Sequence, residues 1–545
     1  MRTKQVLADA LSEALGADVA PRDIEVPEEE HGDYAFPVMG VADEPRDAAE
    51  DAAGELEEQD IIDRVEVAGP GYLNFHLDRE RFAAQVQTAL EGDRMGVEQN
   101  EGTLLLEFSS PNVAKPMHVG HFRNNALGDA LQRIFRFVGY EVTSENYLGD
   151  WGTQYGKLIH AFKEYGSMDE FKEAPMEHMF DLYVRFHEEM EDDEEMEEKG
   201  RAWAKRIEEG DDEAVELWEM FREASIEHHR KDYERMGIRF DRITGESTVV
   251  GEAEDLLEEG VEDGAVEEDE DGSLYIAFDD LPDVVVKKAD GTTLYLSRDL
   301  ENLRKRKEDE GFDHNLYVVG SEQELHFRQV FAACDKLGID TSGCEHISYG
   351  LLDLPEGSMS SREGRIIRLS DLMDEAEERA EAKLEEEGKE LDVAEAVGIG
   401  AAKYANLKVT RTKNIEFDWD QVLSFEGDSG PYLQYSNTRA KSILKKADED
   451  GELAGAIQGE EHALVKQLAA FPETVEAAAE QREPAKLANY LSQLCEEFNT
   501  FYHSCRVLDA ESEDAVRRRL ALVELFATVT DQGLELLGIE TLEEM

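Results

Sequence analysis

TLLLEFSSPNVAKPMHVGH, from Thr103 to His121, is the stretch from which the rest of the chain can be read. Thr103–Phe108 is a short, continuously apolar run of the kind that forms a strand buried in a parallel sheet. Pro116 then sets a turn, and His118, Gly120 and His121 fall at the start of the helix that follows. Strand, turn and helix in that order open one half of a Rossmann-like fold. A helix N-terminus attracts phosphate. Imidazoles on its first turn can donate to phosphoryl oxygens as charge develops, and Gly120 leaves no side chain to block a flat base. His118 and His121 are three residues apart and could share a zinc ion, but no third ligand stands near them, so no metal site is expected. Neither GxGxxG nor GxxxxGK[ST] occurs, which removes the usual warrant for a dinucleotide or P-loop site.

Outward from this stretch, residues 1–95 combine an amphipathic helical pattern, the turn-rich HGDYAFP (His31 to Pro37) and the alternating VEVAGPGYLNFHL (Val65 to Leu77), which predicts strand, turn, strand. They form an expected α+β module. Residues 96–370 are expected to be a Rossmann-like domain, interrupted at about 167–236 by an acidic helical insertion. Its aromatics Phe180, Tyr183, Phe186, Trp203, Trp218 and Phe221 are spaced for buried faces. Strand signals return at SLYIAF, VVVKK, TLYLS and NLYVVG, between Ser273 and Gly320, alternating with helical segments as a parallel sheet requires. Residues 371–426 predict a connecting helical segment that begins with a charged, solvated helix over Asp371–Leu391. From 427 to 545, apolar positions recurring every three and four residues predict an all-α bundle. The fold class expected is α/β with a parallel sheet, flanked by an N-terminal α+β module and a C-terminal helical bundle.

At 545 residues the chain calls for two to four domains, and 34% charged residues place it above the roughly 25% of ordinary globular proteins. The 128 acidic against 56 basic residues give a net charge of −72, spread through nearly every helical segment rather than gathered in a tail. That pattern suits a surface kept hydrated in concentrated salt, so a halophilic cytoplasm is expected. The four cysteines, Cys334, Cys344, Cys495 and Cys505, form no CxxC pair. They indicate a reducing compartment with neither a zinc knuckle nor a disulfide framework. MRTKQVLADALSEALG has no apolar signal region and no run approaches ~18 apolar residues, so a cytoplasmic protein without membrane contact is expected.

The flanks of the histidine turn make its reading specific. HVGH matches the first signature of class I aminoacyl-tRNA synthetases, and EFSSPNVAKPMHVGHFRN with NYLGDWGTQYG (Asn146 to Gly156) resembles the arginyl-tRNA synthetases in particular. Further similarity lies in LYLSRDL (Leu294 to Leu300), GSEQELHFRQVF (Gly320 to Phe331), GPYLQYSNTRAKSIL (Gly430 to Leu444) and the closing LLGIETLEEM. Recognisable blocks run through nearly the whole chain, more weakly in residues 1–95 and the insertion. The second class I signature, a KMSKS-like loop, falls at SMSSR, with Ser358 in place of the leading lysine. In arginyl enzymes lacking that lysine one tends to stand just ahead of the first signature, the place of Lys115.

The resemblance implies an enzyme that activates arginine with ATP and transfers it to the 3′ end of tRNA(Arg), releasing AMP and diphosphate. His118, His121, Lys115 and Arg362 are the expected catalytic residues, with Gly120, Met359, Ser360 and Ser361 completing ATP binding. Glu107 and Asn112 fall where the family holds the backbone end of L-arginine, and Tyr295, Asp299 and Gln323 where it reads the side chain. Asp299 is the expected guanidinium partner, because a carboxylate matches the two-point fork, and Tyr295 shares its face if the segment is helical. ATP with Mg2+ is substrate, and no tightly bound cofactor is expected. The C-terminal bundle is similar to the family's anticodon-binding domain and the N-terminal module to the part contacting the outer corner of tRNA. Tyr435, Asn437 and Arg439, with Lys441, Lys445 and Lys446, form a basic and aromatic cluster suited to stacking on unpaired bases. No DNA partner is expected, and the protein is expected to be a monomer. Two other readings stay open: a nucleotidylyltransferase, which also uses an HxGH turn but leaves both terminal modules unexplained, and a tRNA-binding protein that has lost catalysis, suggested by Ser358.

Overall fold

The computed structural model describes residues 2–28, 31–192, 195–289, 291–353, 367–448 and 451–545. They form two compact units, Asn100–Leu423 and, together, Met1–Gln99 with Ser424–Met545.

The first unit is built on a parallel sheet of β1 (Thr103–Glu107), β2 (Glu141–Leu148), β3 (Arg242–Gly245), β4 (His314–Gly320) and β5 (Cys344–Tyr349), in the order β5-β4-β1-β2-β3. β1 lies central because its middle is apolar: Leu104, Leu105 and Leu106 are buried, as is Phe108 just beyond it. Helix α1 (Val119–Phe137) returns the chain from β1 to β2 and buries Phe122, Ala126, Ala130 and Ile134. Gly128 lets it approach closely, since a Cβ there would fall 2.2 Å from the Phe108 ring. The strand order reverses between β1 and β4, so their C-terminal ends open a crevice at a topological switch point.

Between β2 and β3 stand α2 (Thr153–Tyr165), helices Met168–Glu173, Pro175–Asp192 and Glu195–Glu208, and α3 (Asp212–Arg235), whose N-cap Asp211 accepts from the Ala214 N–H. Phe162, Phe186 and Phe221 share a buried core there with Val113 and Ala114 of the loop after β1, while Trp203 and Trp218 are partly buried against it. Of the stretches expected to supply parallel strands, only Asn315–Gly320 does. Leu274–Ile276 and Val284–Lys287 pair antiparallel in a small sheet with Glu267–Glu268, and Tyr295 begins helix α4 (Tyr295–Arg304). These segments are half-covered, with Val285 exposed, and suit a solvated antiparallel ribbon rather than a strand covered on both faces. Helix α5 (Glu324–Lys336) joins β4 to β5. Helix Leu369–Glu386 is solvated on one side only, since Leu372, Met373, Ala376, Ala380 and Leu384 are buried.

In the second unit a three-stranded antiparallel sheet, Tyr34–Pro37, Tyr72–Leu77 and Ile62–Ala68, packs with helices Thr3–Leu15, Pro45–Leu56 and Arg79–Leu90. The YAFP of the turn-rich stretch is thus an edge strand. Helices Gly430–Lys445, Glu460–Ala469, Phe471–Glu480, Ala485–Ser504 and Glu513–Leu536 make the bundle, which includes Phe498 and Phe526 stacked at 3.8 Å. The two segments are joined by polar contacts: Glu473, half-buried, accepts from the Lys4 N–H at 2.8 Å, and the buried Asp33 meets His462 at 2.7 Å. Among the described residues no helix is long and apolar enough to cross a membrane.

Candidate active site

The loop leaving β1 is held in a shape its sequence disfavours. Ser109, Ser110 and Ala114 have φ of 71°, 43° and 63°, a region that costs non-glycine residues free energy and persists only when surroundings impose it. Here they do. The Ser109 N–H donates to Asn124 Oδ1 at 2.5 Å, the Ser110 N–H to Asn146 Oδ1 at 3.1 Å, and the Ala114 N–H to Ser225 Oγ at 2.9 Å. Asn112, exposed, bridges to Gly149 beyond β2.

His118 is the N-cap of α1, and both signature rings are turned by backbone donors. The Gly120 N–H donates to His118 Nδ1 and the His118 N–H to His121 Nδ1, each at 3.1 Å. A ring accepting at Nδ1 carries its proton on Nε2, so each imidazole keeps an Nε2–H as a free-standing donor. Desolvation pushes His121 down to about 3, with His118 and His229 adding to it, and desolvation lowers His118 too. Both are therefore neutral donors at physiological pH. The segment beyond SMSSR returns alongside them: the Val119 N–H donates to Ile367 O at 3.0 Å and the Leu369 N–H to Met117 O at 2.9 Å. Ser358, Met359, Ser360, Ser361 and Arg362 themselves lie outside the described residues. Lys115 Nζ rests 4.2 Å from the centre of the Tyr183 ring.

The other side of the crevice is acidic. Glu107 ends β1, and Arg306, fully buried after α4, reaches it at 2.7 Å and Glu145 at 2.5 Å. Glu145 has a second guanidinium, Arg242 at 3.0 Å, whereas Glu107 has only the shared one among the described residues. Glu145 is held below the usual carboxylate range, because Arg306, Thr244 and Arg242 outweigh its burial. Glu107 is not: burial pushes it up to about 6, against Arg306 and with help from Glu145 and Asp299. Glu246, after β3, is pushed up to about 7 by burial, Asp299 and Asp150, despite an Arg298 contact at 2.9 Å. Tyr147 is buried with a hydroxyl that meets no partner among the described residues, and burial with Asp299, Glu246 and Glu107 around it drives its pKa well up. Glu107, Glu246, Asp299 and Tyr147 thus lie within electrostatic reach of one another.

Tyr295 and Asp299 lie one turn apart on α4, as a shared face requires, and His326 joins them: its Nε2 is 2.8 Å from Asp299 Oδ2 and its ring 4.8 Å from that of Tyr295. Gln323 is exposed in the turn that follows β4, and no hydrogen bond joins it to them. Sequence reasoning missed Glu246, Tyr147 and His326. Glu246 has no local signal among so many acids, whereas Tyr147 and His326 stood inside quoted blocks.

These are the features of a site for an anion on one side and a compact cation on the other, and comparison with known proteins bears on which. Family models match the chain along its length: "tRNA synthetases class I (R), catalytic domain" over residues 85–419, "DALR anticodon binding domain" over 433–545 and "Arginyl tRNA synthetase N terminal domain" over 1–77. The chain belongs to the arginyl-tRNA synthetase family. A curated arginine–tRNA ligase of an Exiguobacterium species is 40% identical over 100% of both chains, and arginine–tRNA ligase 1 of Bacillus cereus is 39% identical over 100% of both. Among solved structures, Thermus thermophilus arginyl-tRNA synthetase superposes with a TM-score of 0.83 at 27% identity, covering 99% of this chain and 100% of that one. The Plasmodium falciparum arginyl-tRNA synthetase shares the fold, with a TM-score of 0.81 at 22% identity over 100% of this chain and 98% of its own.

In the second unit of this synthetase-family chain, Tyr435 and Arg439 lie half-buried on helix Gly430–Lys445, and the Arg439 guanidinium lies over the rings of Tyr435 and Tyr502 at 4.7 and 5.2 Å. Asn437, expected beside them, turns inward: it is fully buried and donates to Thr530 Oγ1 at 2.8 Å. Lys441 is taken up by Asp531 and Glu543 at 3.0 and 3.1 Å, and Lys445 by Glu544.

Proposed function

We propose that this chain is an arginine–tRNA ligase whose substrate amino acid is selected by the cation-poor crevice at the β1/β4 switch point. The observation that carries the reading is the acidic set at the strand ends, with Glu107 buried, Glu246 half-buried and Asp299 on α4; burial pushes Glu107 up to about 6 and Glu246 up to about 7 against the arginines beside them, which leaves the set short of positive charge. A guanidinium supplies it. Asp299 takes the two-point contact, Glu246 shares the charge, and Tyr295, Gln323 and the Tyr147 hydroxyl line the side chain's path. Glu107 and Asn112 hold the ammonium and carboxylate end. Lysine, lacking the planar fork, leaves buried acceptors unpaired and is rejected without an editing step.

Activation is in-line attack of the arginine carboxylate on the α-phosphate of ATP. His118 and His121 donate Nε2–H bonds to phosphoryl oxygens at the N-terminus of α1, and being neutral they add no charge to be removed when the product leaves. Lys115 takes the place of the missing signature lysine at the departing diphosphate, assisted by Arg362 in a loop where Met359, Ser360 and Ser361 contact the nucleotide. Magnesium accompanies ATP and offsets phosphate charge. In the second step the ribose at the 3′ end of tRNA(Arg) attacks the arginyl-adenylate and AMP leaves. Tyr435, Arg439 and Tyr502 offer a stacking face for anticodon bases, and a monomer suffices for the whole cycle.

The acidic surface is read as an adaptation to concentrated salt, in which counterion release contributes little to RNA binding and stacking carries more. Activity and folding should both be lost in dilute buffer; full retention of both at ~0.1 M salt would contradict this. The activity itself is tested by ATP–diphosphate exchange with each amino acid in molar potassium chloride and magnesium, with and without tRNA. Exchange with arginine alone is expected, dependent on tRNA. Silence under all conditions would leave a tRNA-binding protein.

A further inference from the structure

The acidic insertion between β2 and β3 has a function in the chemistry, and Lys115 shows it. The backbone on either side of this lysine is set by α3: the Ala114 N–H donates to Ser225 Oγ at 2.9 Å, and His229 Nε2 meets Lys115 O at 2.9 Å. Val113 and Ala114 are buried in the insertion's own core. The ammonium is placed by a different helix, Pro175–Asp192, where Tyr183 presents its ring face to Nζ at 4.2 Å. Tyr183 is itself braced by His187, whose ring lies 4.2 Å away and whose Nδ1 meets Tyr183 O at 2.9 Å.

The choice of a ring is physically informative. In a chain with 128 carboxylates, Lys115 has no carboxylate partner among the described residues. An aromatic face attracts a cation without neutralising it or fixing it in a hydrogen bond, so the charge stays available to a stronger anion. A carboxylate in the same place would compete with the phosphates. The same helix meets a second cation at the site: Arg368, which pairs through its backbone with His118, lies 5.9 Å from the Phe180 ring and 3.8 Å from Glu177.

We infer that Tyr183 is a positioning residue for Lys115, holding its ammonium three residues ahead of His118 in a parked state from which it transfers to the phosphates of ATP. The insertion thereby governs the cation that the signature loop lacks. This rests on the role proposed for Lys115. The first variant, Lys115→Ala, tests that role alone: an unchanged exchange rate overturns it and the inference with it.

Tyr183→Ala is expected to lower kcat for arginine-dependent exchange by roughly ten-fold, while Tyr183→Phe, which keeps the ring face, restores most of the rate. The deciding measurement is the double-mutant cycle. In the Lys115→Ala background, Tyr183→Ala should cost nothing further, and thermal unfolding of Tyr183→Ala should match the parent. A loss of the same factor with and without Lys115, or a Tyr183→Phe enzyme as slow as Tyr183→Ala, would overturn the inference, because either result assigns Tyr183 to packing or to its hydroxyl.

Discussion

Two buried carboxylate clusters in this chain answer the cost of burial in opposite ways. Asp33 ties the N-terminal segment to the helical bundle, and burial alone would raise its pKa. His462 at 2.7 Å, the Leu77 N–H at 2.9 Å and Lys466 at 3.5 Å outweigh that and hold it down at about 2. Glu107 and Glu246 have arginines too, at 2.7 and 2.9 Å, yet stay up at about 6 and about 7. The difference is stoichiometry. Asp33 has several partners to itself, whereas among the described residues Glu107 shares Arg306 with Glu145, Glu246 has Arg298 alone, and Asp299 beside them meets only His326. A satisfied acid holds a structure together; an unsatisfied set in an open crevice is a binding site for the cation it lacks.

The largest expected effect separates the two clusters. Asp299→Asn should lower kcat/KM for arginine by roughly a thousand-fold in exchange assays, with KM carrying most of it, while the melting temperature holds or rises. A parallel loss of stability would break the comparison. Asp33→Asn should do the reverse, costing about 3 kcal/mol in denaturant unfolding because His462 and Lys466 lose the negative charge they face, with arginine activation per folded molecule unchanged.

A smaller effect is the opposed pH dependence. The folded pKa of Glu107 and Glu246 lies above their ordinary 4.5, so the folded state binds more protons; the stability they permit is complete below about 4.5 and is lost as pH rises through about 6 to 7. Asp33 runs the other way: its contribution is present above 3.8 and lost as pH falls through about 2. Hydrogen exchange followed across pH in each unit reads both signs separately. Saturating arginine should flatten the first dependence and leave the second untouched. The smallest effect is Lys466→Met, which removes a partly exposed partner at 3.5 Å from Asp33 and should cost under about 1 kcal/mol by the same unfolding measurement.

What the residues disclosed in advance follows the range of the interactions involved. The Thr103–His121 stretch is local: an apolar run and a helix N-terminus specify their own structure, and β1 and the placing of His118 at the start of α1 stand as read. TLYLS, expected as a strand, instead opens a helix on which Tyr295 and Asp299 share a face. The crevice's charge balance is not local, because Glu145 and Arg306 meet from 161 residues apart, Glu246 meets Arg298 from 52, and all look like any other surface charges in a chain of this composition. Burial inverted two expectations. Asn437 reads as an RNA contact but satisfies the bundle interior, and Lys441 and Lys445 read as a basic patch but pair with the C-terminal acids. The short apolar runs at Leu274–Ile276 and Val284–Lys287 became an antiparallel ribbon, a choice that periodicity alone does not make.

The measurement that bears most directly on the cation-poor crevice is calorimetric titration of arginine at pH ~6.5, in molar potassium chloride, using two buffers of different ionisation heat. If Glu246 waits largely protonated for the guanidinium, and Glu107 in smaller part for the ammonium, arginine binding releases protons to the buffer, and Glu246→Gln removes a large part of that release. Arginine that binds with no proton released, or with protons taken up, would contradict the account.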